Sequence, residues 1–392
     1  MDHQQPDARV LIIMTGGTIC MRPSEDGFVP ARGFLDAGMA PRPSFNDNSN
    51  PGTVDVVVDD KGTVTETKSL RTPISRYGRQ IRYCVHEFET LLDSSSIDAT
   101  GWTQIARTVY RNYEGFDGFV VLHGTDSLAY TCSALSFMLQ DLGKPVILTG
   151  SQSPMLELQN DATDNLLGSL IVAGHFRIPE VCLFFNYKLF RGNRATKVSA
   201  TEFAAFASPN CPPLATITAT GTNIAWDLVR RPTPEPLSLQ LNLDISHVAC
   251  LRIFPGIKPE MVDAVLRVPD LRGLILETFG AGNAPGGTDN TFTRVLADAV
   301  LRDNVIVNVT QCLSGNVSPT YAPATVLGRA GVVFGHDMTT EAALTKLSYL
   351  MAVPGLSTHE ISQQMSVSLR GELTPTETTN FQHPGRKTSV AY

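Results

Sequence analysis

No apolar run in this 392-residue chain approaches the roughly 20 residues that a membrane-spanning helix needs. The segment Met1–Arg9 is polar and too short for a secretory leader, so a cytoplasmic location without membrane contact is expected. Basic residues number 31 against 38 acidic ones, a net charge of −7, and no basic stripe suggests a nucleic-acid partner. Cys20, Cys84, Cys132, Cys182, Cys211, Cys250 and Cys312 are scattered and odd in number, with no CxxC pair. Buried reduced thiols are expected rather than disulfides or zinc. The histidines show no HExxH spacing, and no metal is expected. GxGxxG, GKS and GKT are missing, which disfavours a phosphate cradle, and so is the GxSxG elbow of many serine hydrolases.

Two short motifs stand out, each closing an apolar run. Thr15-Gly16-Gly17-Thr18 follows Val10–Met14, and His123-Gly124-Thr125-Asp126 follows Phe119–Leu122. Aliphatic runs closed by glycine read as buried parallel strands, and loops at the carboxyl ends of such strands meet where ligands bind. A threonine nucleophile needs a proton relay and backbone amides for an oxyanion, and Gly17 and Gly124 permit the close backbone approach. Facing hydroxyls with one aspartate point to amide hydrolysis. His123 stands beside the site, but the turn at Gly124 is sufficient reason for its motif.

With 42% hydrophobic residues the chain can fill more than one core. Strands are predicted at Val10–Met14, Phe119–Leu122, Val146–Thr149 and Val181–Tyr187, alternating with helices at Thr100–Tyr113, Ser127–Leu142 and Asp161–Ala173. Residues 41–72 interrupt them and read as a surface loop with a β-hairpin turning at Asp59-Asp60-Lys61-Gly62, outside the core. The proline-rich stretch Arg231–Pro236 marks a linker. Beyond it, strands at His247–Phe254, Gly273–Thr278 and Val305–Thr310 alternate with helices at Pro259–Val268, Asn290–Asp303 and Thr339–Met351. The expected fold class is two α/β domains with parallel-rich sheets: residues 1–220, a linker at 221–244, a smaller domain at 245–370, and a polar tail at 371–392 that frays.

Two further segments carry polar chemistry. Lys197 ends a basic stretch, and a lysine is ordinarily solvated. Folded back onto Asp126, it serves as a proton acceptor. Asp93-Ser94-Ser95-Ser96 reads either as a helix cap or as donors for a substrate carboxylate.

With these residues in place, the chain resembles the L-asparaginase family, in particular the type I, cytosolic branch with a eukaryotic character. The resemblance spans roughly Val10–Ser366 and rests on Thr15–Ile19 and His123–Asp126 in the right order, supported by Leu92–Ser95, Thr149–Gln152, Arg194–Lys197, Gly280–Pro285 and Gly335–Leu344. It implies hydrolysis of L-asparagine to L-aspartate and ammonia, without cofactor, through an acyl-enzyme on Thr18. Thr125, Asp126 and Lys197 are the implied relay, and Asp126 also meets the substrate ammonium. Gly17, Asp93, Ser94, Ser95 and Gly124 are the implied rest of the substrate pocket, with Ser94 and Ser95 on the α-carboxylate. Many members carry a tyrosine in the lid after the first motif, where this chain has Phe28; Tyr321 resembles a second-domain tyrosine used instead. The resemblance also implies a homotetramer, and in some members a regulatory asparagine site, for which Thr196 and Arg252 are the candidates.

Other functions weigh less. One methylene separates asparagine from glutamine, about 1–3 kcal/mol in a pocket, so a glutaminase-asparaginase stays open. An amidotransferase subunit acting on misacylated tRNA carries a further N-terminal domain, whereas the first strand here begins by Val10. A lysophospholipase, an activity given to some eukaryotic relatives, needs an apolar lid or acyl tunnel that no run here supplies. A non-catalytic amino-acid sensor has no need of Thr18, Thr125, Asp126 and Lys197 together.

Overall fold

Leu11–Met14 are wholly buried, as an unbroken aliphatic run must be when helices cover both faces of a parallel strand. In the computed structural model, which describes residues 6–25, 27–286, 290–319 and 322–375, this run lies within the strand Ala8–Gly16. It pairs in parallel with Ile81–Leu92 on one side and with Gly118–Leu122 on the other. Val146–Thr149 and Val181–Phe185 continue the parallel series. Antiparallel strands complete a ten-stranded sheet: Lys188–Arg191, Ala215–Thr218 and Gly221–Ile224 at one edge, Val64–Arg71 and Gly52–Val57 at the other.

Helices Ala99–Arg111 and Leu128–Met138 pack on one face, through Trp102, Ile105, Leu128 and Leu135. Helix Ala162–His175 packs on the other through Leu166 and Leu170. The 52–71 hairpin is therefore part of the sheet, not an excursion from it. Alternation buries Val54 and Val56 in the core while Asp55 faces out. The large sheet also runs on to Ile224, into the stretch read as linker.

The second sheet is wholly parallel: Val248–Arg252, Gly273–Thr278, Val305–Thr310 and Val333–Phe334. Side chains alternate between two cores. Leu274, Leu276 and Ile306 meet helices Pro259–Leu266 and Thr291–Leu301, while Ile275, Val305 and Val307 meet helix Thr340–Ala352. That last helix also packs on Leu128–Met138 of the first unit, where the hydroxyls of Ser133 and Thr345 lie 2.6 Å apart and Phe137 stacks on Tyr349.

Residues 371–375 do not fray. Glu372 is fully buried and pairs with the equally buried Lys346 at 2.7 Å, and Thr374 bonds Asp337 through both its backbone N and its hydroxyl. Burying two opposite charges together avoids the cost of burying either alone, and polar composition does not reveal that pairing. All seven cysteines are free thiols; Cys20, Cys84, Cys132 and Cys182 are buried as expected, whereas Cys211 is half-buried and Cys250 and Cys312 face solvent. Among the described residues no helix is long and apolar enough to cross a membrane.

Candidate functional site

Adjacent parallel strands end together, and the four loops that follow them converge. Gly17-Thr18 follows Ala8–Gly16, Asp93–Ser96 follows Ile81–Leu92, His123–Asp126 follows Gly118–Leu122, and Gly150–Ser153 follows Val146–Thr149. Gly16 and Gly17 adopt φ of 134° and 85°, and a Cβ on Gly17 would lie 2.4 Å from the Gly124 nitrogen. A Cβ on Gly124 would in turn lie 2.5 Å from Ser94 Oγ. Only glycines let the three loops touch.

The two threonines of the first motif differ. Thr15 is buried and its hydroxyl donates to the Leu122 carbonyl (2.9 Å), tying two strand ends together. Thr18 begins a short 3-10 turn, is half-buried, and its hydroxyl has no hydrogen bond among the described residues. The ribbon after it, Met21–Ser24 paired with Gly27–Pro30, leaves Phe28 exposed.

Lys197 comes from outside the four loops. It lies on the two-residue strand Thr196–Lys197, which pairs with Phe206–Ala207. Its Nζ donates to Thr125 Oγ1 (2.9 Å) and pairs with Asp126 Oδ1 (2.7 Å). Thr125 donates onward to Gln152 Oε1 (3.1 Å). Gln152 is held by Asp161, whose carboxylate accepts from the backbone N of Gln152 and Ser153 and from Asn165 Nδ2. Gln152 stands in the sequence only as the end of Thr149–Gln152, and Asp161 only as the start of a helix; an acid thirty-odd positions from the relay carries no local signal.

Ser94 is buried behind Gly124, and its carbonyl accepts from Ser127 Oγ (2.5 Å). Asp93 caps the turn by accepting from Ser95 N (2.8 Å), which leaves the Ser95 side chain exposed. His123 lies outside this chemistry. Trp102 Nε1 donates to Thr131 Oγ1, which lies 3.0 Å from His123 Nε2, while His123 Nδ1 lies 2.7 Å from the Gly124 carbonyl. Burial holds the imidazole down at about 4, so it is neutral near pH 7 and sets the turn.

The segment before Lys197 is clamped to the second unit. Arg194 meets Asp337 through two parallel bonds (3.0 and 2.8 Å) and donates to the Glu372 and Asn210 carbonyls. Thr196 Oγ1 donates to Glu341 Oε1 (2.7 Å), and burial raises the Glu341 carboxyl. Thr196, Glu341, Thr340, Glu277 and Arg252 line one cavity of about 210 Å³, in which Thr340 donates to Glu277 (2.6 Å) and Arg252 stands 3.9 Å from it. Thr196 and Arg252, remote in sequence, thus share one recess. Tyr321 lies outside the described residues.

The family models agree with this division. The model described as Asparaginase, N-terminal matches residues 9–230, and that of the Glutaminase/Asparaginase C-terminal domain matches 247–365. The chain belongs to the asparaginase family. It is 44% identical over 369 residues to the 60 kDa lysophospholipase of Mus musculus, covering 94% of this chain and 63% of that protein. It therefore spans less than two thirds of that relative's length. With L-asparaginase 1 of Escherichia coli (strain K12) it shares 41% identity, over 93% of this chain and 98% of that one. The crystal structure of L-asparaginase I from Vibrio cholerae superposes with a TM-score of 0.78 at 37% identity, covering 94% of this chain and all of that one.

Proposed function

We propose that this chain hydrolyses L-asparagine to L-aspartate and ammonia through an ester on Thr18. The observation that carries this reading is the contact of Lys197 Nζ with both Thr125 and Asp126, in a loop that touches the Gly17-Thr18 turn. Thr18 Oγ1 attacks the side-chain amide carbon, and its proton passes through Thr125 and Lys197 to the departing nitrogen, which leaves as ammonia. Water then cleaves the ester, returning the hydroxyl to Thr18 and releasing aspartate. Asp126 keeps one oxygen on Lys197 and offers the other to the substrate's α-ammonium. Ser94 and Ser95 take the α-carboxylate, with Asp93 shaping their turn, and the backbone at Gly17 and Gly124 lies close around the reacting group. Tyr321 supplies the hydroxyl that Phe28 lacks.

The same reading extends to assembly and control. The chain forms a homotetramer in the cytoplasm, and the recess of Thr196 and Arg252 takes a second asparagine. Its cation and carboxylates suit an amino-acid zwitterion, and Thr196 is bonded to the residue that bears the relay amine. Binding there is felt at Lys197, so the rate rises sigmoidally with asparagine.

The deciding measurement is ammonia release from the purified chain with asparagine, with glutamine and lysophosphatidylcholine as parallel substrates. Release with asparagine alone is expected. Fatty-acid release from the lipid without ammonia from asparagine refutes the reading. The charged, hydroxyl-lined loops suit a zwitterionic amide better than an acyl chain.

A further inference from the structure

A second polar recess lies on the far side of the Arg194 segment, where the large sheet meets residues 369–371. Four guanidiniums line it, from Arg191, Arg230, Arg231 and Arg370, against the carboxylates of Glu180 and Asp141. Glu180 is already used: it forms a two-pronged pair with Arg191 (2.6 and 3.2 Å) and accepts from the Arg230 backbone N. Asp141 accepts from Thr233. Among the described residues, Arg230, Arg231 and Arg370 have no carboxylate partner. Such a local excess of positive charge is unexpected in a chain of net charge −7.

Two of its lining residues carry buried polar atoms without a partner. Arg370 Nε is a donor without a partner, and Asn193 Oδ1 is an acceptor without one. The orientation of the Asn193 amide follows from its other bonds. Its Nδ2 donates to the Arg370 carbonyl (3.2 Å) and to Ser136 Oγ (3.1 Å), and a carbonyl can only accept. A ligand that satisfies the recess therefore brings negative oxygens for the guanidiniums and one O–H for Asn193. The cavity, about 30 Å³ against the roughly 10–15 Å³ that a single water needs, has room for one small tetrahedral group and not for a ring.

We propose that this recess is a binding site for inorganic phosphate in its singly protonated, doubly charged form. Phosphate near neutral pH carries both charge and a proton. Sulfate has the same shape and no proton, so it leaves Asn193 Oδ1 unpaired. Burial lowers the Arg230 guanidinium against the opposing pull of Glu180 and Glu372, while Arg370 and Arg191 lower it further. The site is separate from the loops of the candidate active site, although Arg191 and Asn193 lie just before Lys197 on the same segment.

Titration calorimetry on the full chain tests this, at neutral pH and with ionic strength held by sodium chloride. Inorganic phosphate is expected to bind in the submillimolar range and sulfate about tenfold more weakly. Arg370→Ala and Arg231→Ala are each expected to weaken phosphate about tenfold. Arg231 is exposed, so its variant keeps the test open if Arg370→Ala unfolds. Adenosine monophosphate, whose phosphate is mostly deprotonated at neutral pH, is expected to bind more weakly than inorganic phosphate, and tighter binding overturns the need for the proton. No heat with phosphate up to about 10 mM overturns the site. Equal sulfate affinity, or phosphate binding untouched in both variants, overturns it as well.

Discussion

The two sides of the candidate active site are built to opposite rules. On one side Thr125, Asp126 and Lys197 are fixed by charge-assisted hydrogen bonds, backed by Gln152 and Asp161, and clamped to the second unit through Arg194–Asp337 and Thr196–Glu341. On the other, Thr18 follows two positive-φ glycines, has a hydroxyl without a hydrogen bond among the described residues, and precedes a ribbon whose Phe28 and Val29 are exposed. A proton relay works only at hydrogen-bond distance, so it belongs on rigid structure. An attacking oxygen has to approach a substrate that is not yet bound, so it sits where the chain can close over it.

That contrast can be broken at several points, the largest first. Thr18→Val keeps the β-branched shape and removes the oxygen, so kcat should fall at least about a thousandfold, roughly 4 kcal/mol, with asparagine affinity kept. Steady-state rates and calorimetry check this, and activity above about a thousandth of the parent moves the nucleophile elsewhere. Glu372→Gln strands Lys346 in the core and should cost about 3 kcal/mol of stability, read as a lower melting temperature, while kcat below that temperature persists.

Lys197→Met should lower kcat about a hundredfold with little change in KM, whereas Asp126→Asn should raise KM as well. If Asp126→Asn leaves KM untouched, the ammonium has another partner. Tyr321→Phe should cost about tenfold in kcat, the weight of one hydrogen bond to a reacting group, and Phe28→Tyr in that background should restore part of it.

The last effect concerns the rigid side alone and is read in stability rather than in rate. Burial holds His123 down at about 4, below the ~6.5 of an unfolded histidine. Between those values the unfolded chain takes a proton that the folded one refuses. The stability is therefore complete above pH ~6.5, falls by about 1.4 kcal/mol per pH unit on acidification, and levels off below about 4. His175, lowered to about 4 by its burial and by Arg79, adds in the same direction. Urea titrations from pH 7 to 4 should show this slope, and His123→Gln should make it shallower.

What the sequence determines by itself is local. Apolar runs closed by glycine announce the parallel strands and the positions of Thr18, Thr125 and Asp126 at their ends, because a buried strand has to stop where polar atoms can be satisfied. Gly273–Thr278 and Val305–Thr310 are legible to the residue for the same reason. The tertiary structure decides whatever depends on a distant partner. Lys197 reads as a solvated lysine until folding sets it against Asp126, and the edge hairpin reads as surface until pairing buries Val54 and Val56. Residues 371–375 read as a frayed tail until Lys346 and Asp337 supply opposite charge and hydrogen bonds. His123 stands beside the site with only the Gly124 turn to account for it, until Thr131 and Trp102, from two helices, engage its ring. Charge pairing and burial act across space, and no sequence spacing records them.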